Sequence, residues 1–185
     1  MYLIVGLGNP EEDYSGTRHN MGFDTVNKLA KQFNIEIIKK KFKGIYGTGI
    51  IENKKVIILK PQTYMNLSGE SIKEIMNFYK IKEESLIVIY DDMDIKLGTV
   101  KIRKTGGAGT HNGMKSVIQN IGTKNFTKVR VGIGTPKDKS DLINYVIGYV
   151  PEEEKEILDK STTIAKDAII EIIKSGVDIA MNKYN

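Results

Sequence analysis

The 185-residue sequence contains no cysteine. Disulfide bonds and thiolate chemistry are therefore excluded, and the composition leaves the redox compartment open. No apolar run approaches the roughly 18 residues that a membrane-spanning helix needs, so no membrane partner is expected. Residues 1–6 carry neither the basic flank nor the small-residue cleavage site of a signal peptide. The predicted location is therefore cytoplasmic.

Several catalytic signatures are also absent. The sequence has no G-x-S-x-G nucleophile elbow, which disfavours a serine hydrolase. It lacks H-E-x-x-H and cysteine, the usual sources of zinc ligands, and the phosphate-binding pattern G-x-x-x-x-G-K-[ST] does not occur. Gly6-Leu7-Gly8 matches the start of a dinucleotide-binding fingerprint, but Glu11 occupies the position of its third glycine. The match to that fingerprint is therefore weak.

The charge of the chain is mildly positive, with a formal net charge of +5 and a pI of about 9.1. Lys39–Lys41 and Lys43 form one basic cluster, whereas the acidic run Glu152–Glu154 lies far away in the sequence. Further basic residues are concentrated in the middle of the chain: Lys101, Arg103, Lys104, Lys115, Lys124, Lys128 and Arg130. The distribution is compatible with a polyanionic partner, although each single cluster is more typical of a solvated surface.

The hydrophobic pattern predicts one α/β domain over residues 1–185. Strand patterns occupy 2–7, 45–51, 55–59, 86–90, 100–103 and 129–133. Helical spacing occupies 21–33, 68–79, 114–121 and the segment that follows Pro151. Strands that alternate with helices indicate a single twisted, mostly parallel β-sheet flanked by helices on both faces. A predicted hairpin at 45–59 makes this sheet mixed, and the polar segment 134–144 is expected to be a loop that could act as a lid.

Two histidines and a strand-terminal aspartate are the candidates for acid–base chemistry. His19 and His111 lie in predicted loops, where each could be a general base or a hydrogen-bonded loop residue. Asp91 follows the apolar run 86–90, at the edge of the sheet where α/β proteins bind ligands. It could orient a histidine, bind Mg²⁺ together with Asp92 and Asp94, or end the strand in a polar turn. Spacing alone does not choose among these alternatives.

Three asparagines in predicted loops, Asn9, Asn66 and Asn112, are candidates for contacts to an ester. A side-chain amide can donate to a carbonyl oxygen and accept from an amide N–H, so it can hold an acyl group and stabilise a developing oxyanion. Asparagine is also a common turn residue. A histidine, an aspartate and several amides together favour hydrolysis by an activated water without a metal.

Five segments occur in a characteristic order along the chain. They are Gly6–Pro10 with Tyr14, Thr17–Asn20 and Gly22; Lys60–Gly69; Asp91–Asp94; Gly106–Val117; and Arg130–Gly134. This series, which reaches from residue 3 to about residue 134 and is followed by a similar tail, resembles the bacterial peptidyl-tRNA hydrolase family. The resemblance implies hydrolysis of the ester between a peptide and the 3′ end of tRNA, in the rescue of prematurely dissociated peptidyl-tRNA. It also implies a monomer with no cofactor and no obligate protein partner.

The resemblance assigns roles to individual positions. His19 matches the general base, Asp91 the partner that keeps it basic, and Asn9 the position that distinguishes a peptidylated amine from a free one. The positions that contact the tRNA end or the peptide backbone are Tyr14, Tyr64, Asn66 and Asn112. Charge and neighbourhood add three basic residues as phosphate contacts: Lys101, Arg103 and Arg130. His111 is expected to matter less than His19 and to shape the glycine-rich loop.

Two positions depart from the family pattern. Glu11 replaces a glycine after Asn9-Pro10, and Thr110 replaces a glycine before His111. Both changes affect loops near the predicted site, because each adds a side chain where the backbone had more freedom. Neither change alters the predicted base or its partner.

Two other functions are compatible with parts of the sequence. The first is a non-catalytic RNA-binding relative, since the resemblance extends to a plant chloroplast splicing factor. Intact His19, Asp91 and Asn9 argue against it, because an RNA-binding protein without activity would not need them. The second is a nucleotide-dependent metal enzyme that uses the Gly6–Gly8 loop and Asp91-Asp92. Turnover without magnesium would exclude that second function.

Overall fold

The computed structural model describes residues 1–185. The strands are β1 (Tyr2–Gly6), β2 (Lys39–Lys41), β3 (Gly44–Ile51), β4 (Lys54–Pro61), β5 (Leu86–Asp92), β6 (Val100–Arg103) and β7 (Thr127–Gly132). The α-helices are α1 (Met21–Gln32), α2 (Ser68–Tyr79), α3 (Asn112–Ile121), α4 (Leu142–Ile147), α5 (Glu152–Ser175) and α6 (Val177–Tyr184). Short 3-10 turns lie at Glu12–Tyr14, Arg18–Asn20, Met65–Leu67, Glu83–Ser85 and Lys139–Asp141. None of the helices combines the length and apolar composition that crossing a membrane requires.

All seven strands belong to one mixed sheet in the order β2-β3-β4-β1-β5-β7-β6. The four central strands β4, β1, β5 and β7 are parallel, while β2 and β3 add antiparallel pairs at one edge and β6 at the other. The predicted mixed sheet with a parallel centre is confirmed. Because the central strands run in one direction, the loops that follow them meet at one edge of the sheet.

Helices cover both faces of the sheet, as predicted. One face packs against α1, α5 and α6 in a core of 24 buried residues, and the other packs against α2 and α3 in a core of 17. Alternation along β1 divides its side chains between the two cores, with Ile4 in the first and Leu3 and Val5 in the second. Burial on both faces explains why the central strands have continuous apolar runs.

The hairpin prediction is confirmed, and its turn consists of Glu52 and Asn53, which both have positive φ. Three elements were not predicted: β2, α4 and α6, which follows α5 after Gly176. The lysines of β2 have no apolar alternation, and their strand is defined by backbone pairing with β3. The prediction of a loop at 134–144 is wrong in its second half, because the turn Lys139–Asp141 leads directly into α4. That helix is held by tertiary contacts described below.

Candidate active site

A cavity of about 500 Å³ lies at the carboxyl ends of β5 and β7, beneath α4 and the loop that precedes α3. Five of the predicted site residues line it: His19, Asp91, Asn112, Arg103 and Arg130. Residues of α4 form part of its wall, among them Leu142, Ile143 and Val146. The cavity therefore collects groups from strands, loops and a helix that are distant in sequence.

Asp91 is the centre of a hydrogen-bonded group at the base of this cavity. Its side chain is 2% exposed, and its oxygens lie 2.9 and 3.1 Å from Nδ1 of His19. Nε2 of His111 lies 3.0 Å from the same carboxylate. One buried carboxylate thus accepts an N–H from both histidines of the chain.

The tautomer of each histidine follows from its second nitrogen. Nδ1 of His111 accepts from the backbone N–H of Met114, so the proton of His111 is on Nε2 and faces Asp91. His19 donates from Nδ1 to Asp91, which leaves Nε2 with a free lone pair. Nε2 of His19 is therefore the basic nitrogen of the site, whereas His111 fixes the carboxylate and the start of α3.

The protonation states reinforce this arrangement. Burial alone would lower the pKa of His19, but the charge of Asp91 and the hydrogen bond to it outweigh burial and raise this pKa above its ordinary value. Burial alone would raise the pKa of Asp91, but the two histidines beside it hold that pKa well below its usual range. Asp91 is therefore ionised at neutral pH, and His19 is a strengthened base.

Gly22 fixes the position of the turn that carries His19 (Arg18–Asn20). A Cβ atom on Gly22 would lie 2.4 Å from the carbonyl oxygen of Ile89 and 2.4 Å from the backbone nitrogen of Leu7. Only glycine lets the first turn of α1 approach the backbones of β1 and β5 so closely. The His19 turn is consequently held directly over the end of β5, where Asp91 lies.

Asn9 is fixed to this turn through its backbone. The side chain of Asn20 accepts from the N–H of Asn9 at 2.7 Å and donates to its carbonyl oxygen at 3.0 Å. Asn20 itself is 5% exposed. The side-chain amide of Asn9 makes no hydrogen bond within the protein and remains available to a ligand. Sequence reasoning did not identify Asn20, although its place beside His19 was a signal.

The far end of the cavity is basic. Arg130 is cross-strand to Tyr90 and lies 3.6 Å from the carboxylate of Asp92, and Arg103 donates to the carbonyl of Gly107 at 2.7 Å. Nε of both arginines is buried without a hydrogen-bond partner. Burial raises the pKa of Tyr90 to about 12, so its hydroxyl stays protonated. The guanidinium groups of the two arginines make this end of the cavity suitable for an anion.

The glycine-rich loop accommodates the side chain of Arg103. Gly106 has a φ of +133°, and a Cβ atom there would lie 2.5 Å from Cζ of Arg103. The predicted contact Lys101 lies elsewhere, because its Nζ donates to the carbonyl of Asn185 at 3.2 Å. The structure therefore brings two of the three predicted basic residues to the cavity.

The other predicted contacts lie outside the cavity wall. Tyr64 is 71% exposed, and Asn66 is exposed on the turn Met65–Leu67, which packs against the start of α3. Tyr14 is half-buried in the loop after β1. These residues follow β1 and β4, on the opposite side of His19 from the arginines.

Comparison with known proteins identifies the family. Residues 3–185 match the family model described as peptidyl-tRNA hydrolase. The chain belongs to the peptidyl-tRNA hydrolase family. The peptidyl-tRNA hydrolase of Clostridium perfringens (strain SM101 / Type A) is 52% identical over 185 residues, which are 100% of this chain and 97% of that protein. That of Clostridium botulinum (strain Hall) is 53% identical over 185 residues and equally covered.

A solved structure supports the same assignment. Peptidyl-tRNA hydrolase from Acinetobacter baumannii is 38% identical and superposes with a TM-score of 0.94, covering 100% of this chain and 94% of that one. The predicted family and fold are both confirmed. The two residues of this chain that depart from the family pattern lie on the surface. Glu11 is exposed in the loop after β1, and Thr110 is exposed at the cavity wall.

One group of side chains could hold a metal ion. Ligand atoms of His19, Asp91 and His111 lie within 4.8 Å of one another. The same atoms are donors and acceptors of the hydrogen bonds described above, so a metal would have to displace both N–H protons. Asp92 does not join this group, because it accepts from the N–H of Asp94 and faces Arg130. The alternative of a magnesium site at Asp91, Asp92 and Asp94 gains no support.

Arg18, which sequence reasoning did not identify, joins the His19 turn to α4. Its guanidinium donates to the carbonyls of Tyr145 at 2.9 Å and Tyr149 at 3.4 Å, and to the carboxylate of Glu154 at 2.6 Å. It also stacks 3.9 Å from the ring centroid of Tyr145, whose hydroxyl donates to Ile133. The arginine neutralises carbonyls near the end of α4, where the helix dipole favours a cation.

Replacement of Arg18 by glutamine is expected to loosen α4 from the His19 turn. The loss of three charge-assisted contacts should lower the free energy of unfolding by about 2–4 kcal/mol. The rise in KM should be larger than the fall in kcat, because α4 forms part of the cavity wall that binds substrate, whereas the general base is His19. Thermal unfolding and steady-state kinetics would measure the two effects. The control is Arg18→Lys, which keeps the positive charge and loses the planar guanidinium that donates to several acceptors at once. Unchanged KM in a destabilised protein would contradict the proposed link to the cavity.

Proposed function

We propose that this protein hydrolyses the ester that joins a peptide, or an N-blocked amino acid, to the 3′ end of tRNA, and so releases both during rescue of prematurely dissociated peptidyl-tRNA. The observation that carries the proposal is the free Nε2 of His19, made basic by buried Asp91, in a cavity that two half-buried arginines also line. Asparagine amides without internal hydrogen bonds lie nearby. Such a site suits an ester with a neutral acyl part and a polyanionic leaving group.

The reaction follows from the tautomers. Nε2 of His19 takes a proton from a water molecule as its oxygen attacks the ester carbonyl carbon. The carbonyl becomes a tetrahedral oxyanion, which side-chain amides stabilise by donating N–H groups. The imidazolium, stabilised by Asp91, then gives its proton to the departing 3′ oxygen of the tRNA. His19 is thereby returned to its basic form.

Asparagine amides recognise the acyl half of the substrate. Asn9, held by its backbone, is assigned to the peptidylated α-amino group, and Asn66 and Asn112 to the ester and peptide backbone. Their side chains make no hydrogen bonds within the protein, so binding does not break an internal contact. Tyr14 and Tyr64, which follow β1 and β4 on the same side of His19, provide an aromatic surface beside the peptide backbone.

Arginines recognise the tRNA half. Arg103 and Arg130 line the cavity, where their guanidinium groups can donate to a phosphate oxygen. Lys101, on the edge strand, is a weaker candidate because its ammonium already contacts Asn185. Contacts of this kind carry no sequence information, which suits an enzyme that serves every tRNA.

Residues 1–185 act as a single domain and as a monomer in the cytoplasm, without cofactor, metal or obligate protein partner. The non-catalytic RNA-binding alternative is not favoured, because it leaves the His19–Asp91 pair without a purpose.

The decisive test is release of the acyl group from N-acetyl-aminoacyl-tRNA by purified protein in the presence of EDTA. Rapid cleavage of this substrate is expected, with unblocked aminoacyl-tRNA left intact as the matched control. The KM for N-acetyl-aminoacyl-tRNA should rise with salt concentration. Each phosphate contact releases counterions on binding, and such contacts weaken as salt concentration rises. Absence of cleavage with tRNA still bound would favour the RNA-binding alternative, and activity lost only with EDTA would favour a metal enzyme.

A further inference from the structure

A lysine-rich groove lies at the β2 edge of the sheet, outside the site described above. It has a volume of about 520 Å³ and is lined by Lys40, Lys41, Lys43, Gln62 and Thr63, with backbone from β3. Lys40 and Lys41 are exposed on β2, the last strand of the sheet at this edge, and Lys43 is exposed in the turn to β3. We name this feature the lysine groove.

The lysine groove opens on the same edge of the sheet as the active site. β2 and β4 run in the same direction, since both are antiparallel to β3, and Lys41 pairs with Gly44, which pairs with Pro61. The backbone then continues through Gln62 and Thr63 to Tyr64. The chain that lines the groove thus leads directly to Tyr64, on the acyl side of the active site.

The positive charge of the groove is only partly neutralised. Lys43 lies 3.0 Å from Glu70 and 3.7 Å from Glu74. Lys40 has no carboxylate within 4.0 Å, and Lys41 instead lies 4.3 Å from the ring centroid of Phe78. The hydroxyl oxygen of Thr63 is buried without a hydrogen-bond partner. The ammonium groups of Lys40 and Lys41 therefore have no carboxylate partner and can pair with an acidic ligand.

The order of the strands indicates which half of the substrate reaches this groove. The arginine end lies over β7 and β6, on one side of His19, and the lysine groove lies over β2 and β3, on the other. The two halves of an ester held at His19 must leave in opposite directions. If the polyanionic tRNA occupies the arginine end, the peptide extends toward the lysines.

We propose that the lysine groove is a subsite for acidic side chains of the peptide, so that the protein prefers peptidyl-tRNAs with acidic residues upstream of the ester. This inference rests on the proposed function. Three strand spacings separate β1 from β2, which is about 14 Å. An extended peptide covers that span in about four to five residues.

A polynucleotide suits this surface less well. Glu70 and Glu74 lie beside the groove, where both are close to Lys43. The loop after β1 adds three more exposed acidic residues, Glu11, Glu12 and Asp13. Acidic groups that alternate with lysines would repel a continuous phosphate backbone. A short peptide segment can place one or two carboxylates on the free lysines and avoid the acids.

The test compares peptidyl-tRNAs that share one tRNA and differ only in the peptide. One peptide carries glutamates at about the fourth to sixth residues back from the ester, the second carries glutamines there, and N-acetyl-aminoacyl-tRNA is the short reference. We expect KM for the glutamate peptide to be about threefold to tenfold lower than for the glutamine peptide, and the difference to shrink as salt rises.

Variants assign the preference to the groove. Lys40→Gln/Lys41→Gln should remove the difference between the two peptides, whereas Lys31→Gln/Lys160→Gln, the same charge change on exposed sites of α1 and α5, should keep it. Equal KM values for both peptides in the unmodified protein would overturn the proposal. An equal rise in the KM of the Lys40→Gln/Lys41→Gln variant for the long and the short substrates would also overturn the proposal, since it would indicate that the lysines contact the RNA. Failure to cleave even the short reference would instead overturn the proposed function.

Discussion

Replacement of His19 by alanine is expected to lower kcat by about 10²- to 10⁴-fold, the usual contribution of a general base. Nε2 of His19 carries the free lone pair of the ring, because Nδ1 donates its proton to Asp91 in a hydrogen bond of 2.9 Å. Binding of deacylated tRNA should change little, because the arginines do not contact this imidazole. Single-turnover hydrolysis and a tRNA competition assay would measure the two quantities.

His111 provides the matched control, as the other histidine on the same carboxylate. His111→Ala should reduce kcat less than His19→Ala does, because its Nε2 is protonated and cannot act as the base. It should also lower the free energy of unfolding by about 1 kcal/mol, since Nδ1 caps α3 through Met114. A larger loss of kcat in His111→Ala than in His19→Ala would overturn the assignment of the base.

Replacement of Asp91 by asparagine is expected to lower kcat by about 10³- to 10⁴-fold, although the shape of the side chain is kept. The carboxylate accepts N–H groups from two histidines, whereas an asparagine offers one acceptor oxygen. The tautomer of His111 is fixed by Met114, so His19 is the ring that must change. Its proton then moves to Nε2, and the free lone pair is lost.

The pH profile gives a second measure of the same substitution. Burial lowers the pKa of His19, whereas the charge of Asp91 and the hydrogen bond to it together raise this pKa by more. Removal of the Asp91 charge must therefore lower the pKa of His19. The base works in its neutral form and is lost as pH falls through its pKa. The low-pH limb of kcat/KM should therefore move to lower pH in Asp91→Asn. Asp92→Asn is the control, because the asparagine can still accept from Asp94, and an unshifted limb in Asp91→Asn would contradict the proposed pair.

The fold could be predicted where the hydrophobic pattern was decisive. The run at 86–90 forms a strand buried on both faces, and the alternation at 45–59 forms a hairpin. Elements whose formation depends on remote contacts were missed. β2 consists of three lysines that form a strand by pairing with β3, and α4 is held by Arg18, which is more than a hundred residues away in sequence.

The sequence by itself determined the fold class and the family, because apolar periodicity reports burial and ordered motif blocks report ancestry. It also placed His19, Asp91 and Asn9 among the candidates for the site. Only the tertiary structure decided which histidine has the free nitrogen, since that depends on Asp91, 72 residues from His19, and on the N–H of Met114. Hydrogen-bond partners set a tautomer through distance and direction, and neither is encoded in the spacing of residues along the chain.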